Sequence, residues 1–377
     1  IALLRIGGDG SAGRGAAIGS IAAVGNYLIE NNDIDSNSSA SDYGGALFLT
    51  AKGTIKNNRL TYNSCGSSVG YGYGGAISLW DSATVTGNAF VGNFAPTYGG
   101  ALYLADGHNY QVDHNLIIKN RTNDGGAAIA LAGRWDNVFS TATIDFCTIA
   151  DNSSTGYVGG DALYLSGRAV AHFTNSIAWR NSKADGLSDF HTSNEFDTIH
   201  VAYSTTADLV SGVGVIHTNP LFADTATNKY YLKSRAGRYF QPGVWLLDTL
   251  NSPAIDAADP MAPFADEPQP NGGRANLGCY GNTDRASKTD TVPQLALGTA
   301  ELPVVRMNIQ FSHQFIASGG IPPYTFSLID SELPAGFALQ ANGLLSGNTA
   351  QTGDFMLRVR VADNEPIPQV AEYSFTL

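Results

Sequence analysis

One short phrase recurs five times in this chain, and its recurrence restricts the fold more than any other feature. "YGGALFLTAKG" (43–53), "YGGAISLWDS" (73–82), "YGGALYLADG" (98–107), "GGAAIALAGR" (125–134) and "GGDALYLSGR" (159–168) share a glycine turn followed by two aliphatic residues flanking a variable one. A second phrase, apolar-x-x-Asn-x-apolar-x-x-Asn, alternates with it. It reads "IENNDIDSN" (29–37), "IKNNRLTYN" (55–63), "VTGNAFVGN" (85–93), "VDHNLIIKN" (112–120), and less regularly "IDFCTIADN" (144–152) and "HFTNSIAWRN" (172–181). The closing asparagines are Asn37, Asn63, Asn93, Asn120, Asn152 and Asn181, so the repeat advances by 26, 30, 27, 32 and 29 residues. A period of this size marks a solenoid, each unit burying its apolar face only by stacking on its neighbours.

The residues within each period choose β over α. The runs are short, rich in aliphatic, β-branched and aromatic residues, and bounded by Gly, Asn and Asp. In the glycine phrase the inward positions are Leu47/Leu49, Ile77/Leu79, Leu102/Leu104, Ile129/Leu131 and Leu163/Leu165, with Phe48, Ser78, Tyr103, Ala130 and Tyr164 facing out between them. The glycines suit a turn of positive φ. The asparagines tolerate left-handed backbone and offer amides that bond one another along a stack, giving a ladder of Asn37, Asn63, Asn93, Asn120, Asn152 and Asn181. Cys147 stands where other copies place an asparagine and is expected to be a buried thiol replacing one rung.

Composition narrows the partners. With 21 Lys and Arg against 33 Asp and Glu, and no basic run, the net charge of -12 argues against nucleic acid or an anionic membrane surface. Cys65, Cys147 and Cys279 lack metal-type spacing and imply neither a disulfide framework nor a zinc site. No apolar stretch is long enough to span a membrane. The opening "IALLRIGGDG" has no signal-peptide pattern and already reads as repeat, so the numbering is expected to start inside a longer precursor.

The GGA-[IL] and F-x-x-N style of repeat, here "GGALYL" and "FVGN", resembles the right-handed parallel β-helix repeats of secreted bacterial proteins and outer-membrane adhesins. "NSIAWRN" (175–181), "NPLFAD" (219–224), "YYLKS" (230–234), "SPAIDAADP" (252–260) and "PNGGRANLGCYGNTDRASKT" (270–289) resemble the closing segment of the choice-of-anchor Q β-helix proteins, which implies secretion or display at the bacterial cell surface. Beyond a linker at 291–302, the stretch 303–377 has strand patterns with frequent turns. Its "PPYTFSL", "LPAGFAL" and "GLLSG" resemble bacterial Ig-like (cadherin-like) domains. The expected architecture is therefore all-β: β-helix coils over 1–218, a closing segment over 219–290, the linker, and a small Ig-like β-sandwich.

Parallel β-helices host polysaccharide lyases and hydrolases as well as inert scaffolds, and the turn after each glycine-phrase strand is where such chemistry would stand. Stacking aligns Lys52, Trp80/Asp81, Asp106/His108, Arg134/Trp135/Asp136 and Arg168. Asp81 and Asp106, with Asp136 and Arg134, are the candidate catalytic groups, because paired carboxylates split their pKa values for acid/base work. Trp80, Tyr103, His108, Trp135 and Tyr164 are the candidate sugar-binding side chains. Asp beside Gly is also ordinary turn chemistry, and aromatics on a β surface are ordinary packing. Lys119, Arg121, Arg134 and Arg168 would serve a lyase, yet the polygalacturonase and pectate-lyase signatures are absent. No cofactor is demanded. Ca2+ is the candidate, at Asp363, Asn364 and Glu365, where the resemblance to cadherin-like domains implies interdomain calcium.

These observations favour a non-catalytic structural or adhesive protein of the cell surface or extracellular space, a rigid β-helix with an Ig-like spacer. It would meet a polysaccharide or other surface partner and associate end to end through uncapped coils. A polysaccharide lyase or glycoside hydrolase working along the β-helix is the alternative.

Overall fold

In the computed structural model, the described residues are 9–10 and 18–21 as backbone, and 26–66, 70–133, 139–293, 295–298, 301–329, 333–364 and 368–377 with side chains. Two compact units result: Ile1–Lys233 with Gly237–Leu246 and Asn251–Thr289, and Asp290–Leu377 with Ser234–Ala236 and Leu247–Leu250.

The first unit is a parallel β-solenoid of about six turns. Each turn contributes one strand to each of four stacked sheets. The first sheet holds the glycine phrases (Leu47–Leu49, Ile77–Leu79, Leu102–Ala105, Ile129–Ala132, Leu163–Ser166) and the second their successors (Gly53–Lys56, Ala83–Thr86, Tyr110–Asp113, Ser140–Asp145, Ala169–Thr174). The third follows (Asp33–Asp35, Arg59–Thr61, Ala89–Val91, Leu116–Ile118, Thr148–Ala150, Ile177–Trp179), and the fourth consists of two-residue strands such as Ser38–Ser39 and Phe94–Ala95. Pairing is in register: Leu47, Ile77, Leu102, Ile129 and Leu163 lie in one row, and Ile55, Val85, Val112, Ile144 and Phe173 in another. These rows are fully buried and form the continuous interior of the coil.

Corners make the coil possible, and each has a local cause. Gly44, Gly74, Gly99, Gly126 and Gly160 enter the first sheet at φ between 60° and 77°. A Cβ on Gly99 would sit 2.5 Å from the Leu102 carbonyl oxygen, so glycine is required there by conformation and by space. At the other corners the left-handed residue is not the stacked asparagine but the one before it. Asn31, Asn57, Gly87, His114, Phe146, Asn175 and Tyr203 form one such column, and Ser36, Tyr62, Gly92, Lys119, Asp151 and Arg180 the other. Each non-glycine there costs about 1–2 kcal/mol of backbone strain, and the buried asparagine that follows supplies the compensating hydrogen bonds.

Those asparagines make two ladders. In the longer, which starts at Asn37, the residues Asn63, Asn93, Asn120, Asn152 and Asn181 each receive two bonds on Oδ1, from the backbone N–H and the Nδ2 of the rung before, at 2.9–3.2 Å. The shorter runs Asn32, Asn58, Asn88, Asn115 and then continues as Cys147, Ser176 and Ser204. Cys147 Sγ bonds the Val112 carbonyl at 3.3 Å, and burial pushes its thiol pKa well up, so it packs as a neutral rung.

At its C-terminal end the coil is closed by 207–218, where Val210 and Val215 cover the last layer of the core and Tyr203 N–H bonds Val213 O at 2.7 Å. The chain then folds back over the outer face of the third sheet. Leu232, Ala254, Ala258, Ala275 and Leu277 cover Phe146 and Ile177, while Tyr230 and Cys279 cover Val91, Leu116, Ile118 and Ala150. Leu116–Ile118 and Thr148–Ala150 are consequently buried on both faces, whereas the first two strands of the same sheet present Asp33 and Arg59 outward, paired at 3.0 Å.

The second unit contains two three-stranded antiparallel sheets. One orders Phe311–Gln314, Leu344–Gly347 and Phe337–Leu339, the other Thr325–Leu328, Met356–Ala362 and Val370–Thr376. Phe315, Leu345, Leu357, Val359, Val361 and Phe375 form its core, an arrangement compatible with a small β-sandwich. Leu295 and Leu297, from the stretch read as linker, lie in the same core. Among the described residues no helix is long and apolar enough to cross a membrane.

Candidate functional site

The outer face of the first sheet carries the densest set of non-repeating side chains. Register places Phe48, Ser78, Tyr103, Ala130, Tyr164 and His191 in one row across successive coils. Beside it the residues ahead of the glycine turns, Tyr43, Tyr73 and Tyr98, pair coil to coil. Small Ser78 and Ala130 leave room in the row, and rings from the neighbouring column fill it. Tyr73 lies 4.9 Å from Tyr103 and Tyr98 stacks on Tyr164 at 4.5 Å, while Tyr164 stacks in turn on His191 at 5.6 Å. Trp80 stands edge-on to Tyr43 at 5.1 Å, its indole N–H donating to Ser78 Oγ at 3.0 Å.

The array is graded in exposure. Phe48 and Tyr164 are buried at 2% and 6%, so Tyr164 acts mainly as a support, while Tyr43, Tyr73, Trp80, Tyr98 and Tyr103 are half-buried and present ring edges and hydroxyls. Burial raises the phenol pKa values of Tyr73, Tyr98 and Tyr103, first through desolvation and then through neighbouring rings, so these hydroxyls stay neutral donors and acceptors at physiological pH.

The turn column is organised differently. Asp106 occupies the left-handed region at φ 56° and its N–H bonds Ala132 O, while Asp81 Oδ1 accepts the Ser82 N–H at 2.7 Å. Beneath both turns lies the fully buried Tyr110, its hydroxyl 2.8 Å from Ala105 O and 3.1 Å from Leu79 O. Burial raises the Tyr110 pKa well above its usual value, and the Asp81 and Asp106 charges add to that shift. His108 is exposed, with Nδ1 2.9 Å from Phe139 O. Arg168 places its guanidinium 4.4 Å over Phe196 and its N–H on Asp197. Arg134, Trp135 and Asp136 lie outside the described residues.

Three carboxyls whose pKa burial raises are ones that sequence reasoning missed. Asp161 takes the place of a corner glycine in "GGDALYL", accepts from Ser154 Oγ at 3.1 Å, and is pushed up to about 7 by desolvation. Asp189 terminates the long asparagine ladder, accepting from Asn181 Nδ2 at 2.8 Å and from Thr206 and Ala207 at 2.7 Å, and burial raises it too. Glu267 receives the N–H groups of Asn276 and Asn282 on one oxygen at 2.8 Å and is also pushed up to about 7 by burial. The break from GGA to GGD was a legible signal for Asp161; Asp189 and Glu267 had none.

In the second unit Asp363 binds backbone, accepting from Ile321 N at 3.0 Å and Gln369 N at 2.8 Å. Asn364 N–H bonds Ile321 O, and Glu365 lies outside the described residues. Among the described residues no group of three or more His, Cys, Asp or Glu side chains could hold a metal ion. No protein-family model, curated protein or solved structure matches the chain.

Proposed function

We propose that this chain is a non-catalytic, secreted or cell-surface adhesive protein that binds glycan through the aromatic face of its solenoid. The observation carrying this reading is the half-buried array of Tyr43, Tyr73, Trp80, Tyr98 and Tyr103 on a sheet whose interior repeats strictly. Amphipathic rings held rigid by packing offer apolar contact and hydroxyls at low entropic cost, which suits a sugar surface. The resemblance of the closing segment to choice-of-anchor Q proteins, and of the second unit to Ig-like spacers, supports a place at the cell surface. The C-terminal end of the coil stack is covered by 207–218.

The shifted carboxyls also favour binding over catalysis. A shifted acid in an open cleft is the usual mark of acid/base chemistry, whereas Asp161, Asp189 and Glu267 are interior joints. The test is binding to a panel of insoluble and soluble polysaccharides, with reducing ends and unsaturated products monitored in parallel. Trp80→Ala and Tyr103→Ala should each weaken binding roughly tenfold, about 1.4 kcal/mol, and no product should form. Product release lost in Asp106→Asn would replace this reading with the lyase or hydrolase one.

A further inference from the structure

A second polar surface arises only because the closing segment stops short. It covers the third sheet from Val91 onward, and the loop 283–285 overhangs the corner where the second and third sheets meet. Between loop and corner lies a cleft of about 390 Å³ lined by Asn57, Thr86, His114, Tyr280, Thr283 and Arg285. It opens into a second hollow of about 730 Å³ that extends over Asn31, Asp33 and Arg59 and shares Asn57, Gly87 and Arg285 with the first. The two form one groove.

Its walls are built rather than incidental. His114 is held from both sides, Nδ1 3.1 Å from Asp113 Oδ2 and Nε2 3.1 Å from Gly281 O, with its ring stacked on Phe146 at 5.0 Å. Tyr280 is stacked on Tyr231 at 4.3 Å and anchored through its hydroxyl to Lys229 O at 2.7 Å. Gly87 forms the floor, since a Cβ there would lie 2.5 Å from Asn57 Oδ1. Asn31 and Asn57, exposed in the left-handed corner column, point amides into the groove one coil apart, and Arg285, whose guanidinium lies 5.9 Å from the Tyr239 ring, lines both hollows.

We propose that this groove binds a neutral, extended oligosaccharide running parallel to the coil stack. The column Asn31, Asn57, Gly87, His114 spans four coils, about 14 Å at the spacing of adjacent strands. That advance per coil is close to the rise of one pyranose unit in an extended chain, so successive sugars meet successive corners. Amides and a guanidinium match sugar hydroxyls, and Tyr280 supplies the apolar wall. Asp33 and Asp284 balance Arg59 and Arg285, so the groove does not select a polyanion.

With the preceding proposal this shares only the class of ligand. Calorimetric titration of the full chain with neutral β-1,4-linked trisaccharides, and with a trigalacturonate, tests it. Binding of a neutral trisaccharide is expected, insensitive to salt and weakened tenfold or more by Asn57→Gly and by Arg285→Ala. Glycine keeps the corner conformation that the next coil already adopts at Gly87, so Asn57→Gly removes the amide without the turn. Unaltered affinity in both groove variants, no binding of any neutral trisaccharide, or salt-screened binding of the uronate alone would each overturn the groove. Loss in Trp80→Ala alone would overturn it while sustaining the aromatic face; loss in the groove variants alone would sustain it and leave the aromatic face to be judged on the polysaccharide panel.

Discussion

The two ladders run side by side through the same coils and differ in what their rungs must do. From Asn37 to Asn181 the long ladder never departs from asparagine, because each side chain from Asn63 to Asn152 receives two bonds from the rung before and donates through Nδ2 to the next rung and to a carbonyl of a neighbouring coil. The short ladder keeps that pattern to Asn115 and then passes to Cys147, Ser176 and Ser204. A hydroxyl can accept from the rung before and donate once, as Ser176 does to Thr174 O at 2.6 Å, but it lacks the second donor. The rung can shrink, but a rung must remain: every buried N–H in the column needs an acceptor at that height.

The comparison breaks most directly at Asn93→Ala. Removing Oδ1 orphans the buried N–H and one Nδ2 hydrogen of Asn63, and the expected loss is on the order of 4 kcal/mol, from two unsatisfied donor hydrogens and a small cavity. Denaturant unfolding measures it, and a loss below about 1 kcal/mol would show that the ladder is replaceable by water.

The next test uses acid, since the long ladder ends on the buried Asp189 and the short one on a hydroxyl. Asp189 and the neighbouring Asp161 are raised by burial, so between the unfolded carboxyl value near 4 and the folded value of about 7 for Asp161 the native state holds more protons. Stability is then greatest at the acid end of that window and falls as pH rises through it. Thermal melts across this range should show the slope, and Asp161→Asn, which keeps one acceptor oxygen and has no titrating group, should flatten it. An unchanged slope in the variant would assign the effect to other groups, Glu267 first.

Cys147→Ser should have the smallest effect, within about 1 kcal/mol by the same unfolding measurement, because the next two rungs are already serine. A loss as large as that of Asn93→Ala would erase the distinction between the ladders.

The solenoid could be read from the sequence because its determinants are local and periodic. Leu47, Ile77 and Leu102 face inward for the same reason in every copy, so one coil predicts the next. The aromatic face was half legible. Phe48, Tyr103 and Tyr164 are outward by alternation, but Tyr43, Tyr73 and Tyr98 join them only through the lateral pairing of turns. The groove at Arg285 was not legible at all, since its two sides are about 200 residues apart in the chain.

The covering segment leaves one cue in the sequence. Outward positions of the third sheet change from Asp33 and Arg59 to Leu116, Ile118 and Ile177, which is what a sheet does when something lies on it. What the sequence by itself determined was the coil: its period, its inward rows, its glycine corners and its buried asparagines, all set by contacts between equivalent residues of adjacent copies. Tertiary structure decided which outward residues are surface. Burial of Val91, Leu116, Ile118 and Ala150 depends on where 219–289 lies, and that placement follows from apolar area, which carries no address in the chain.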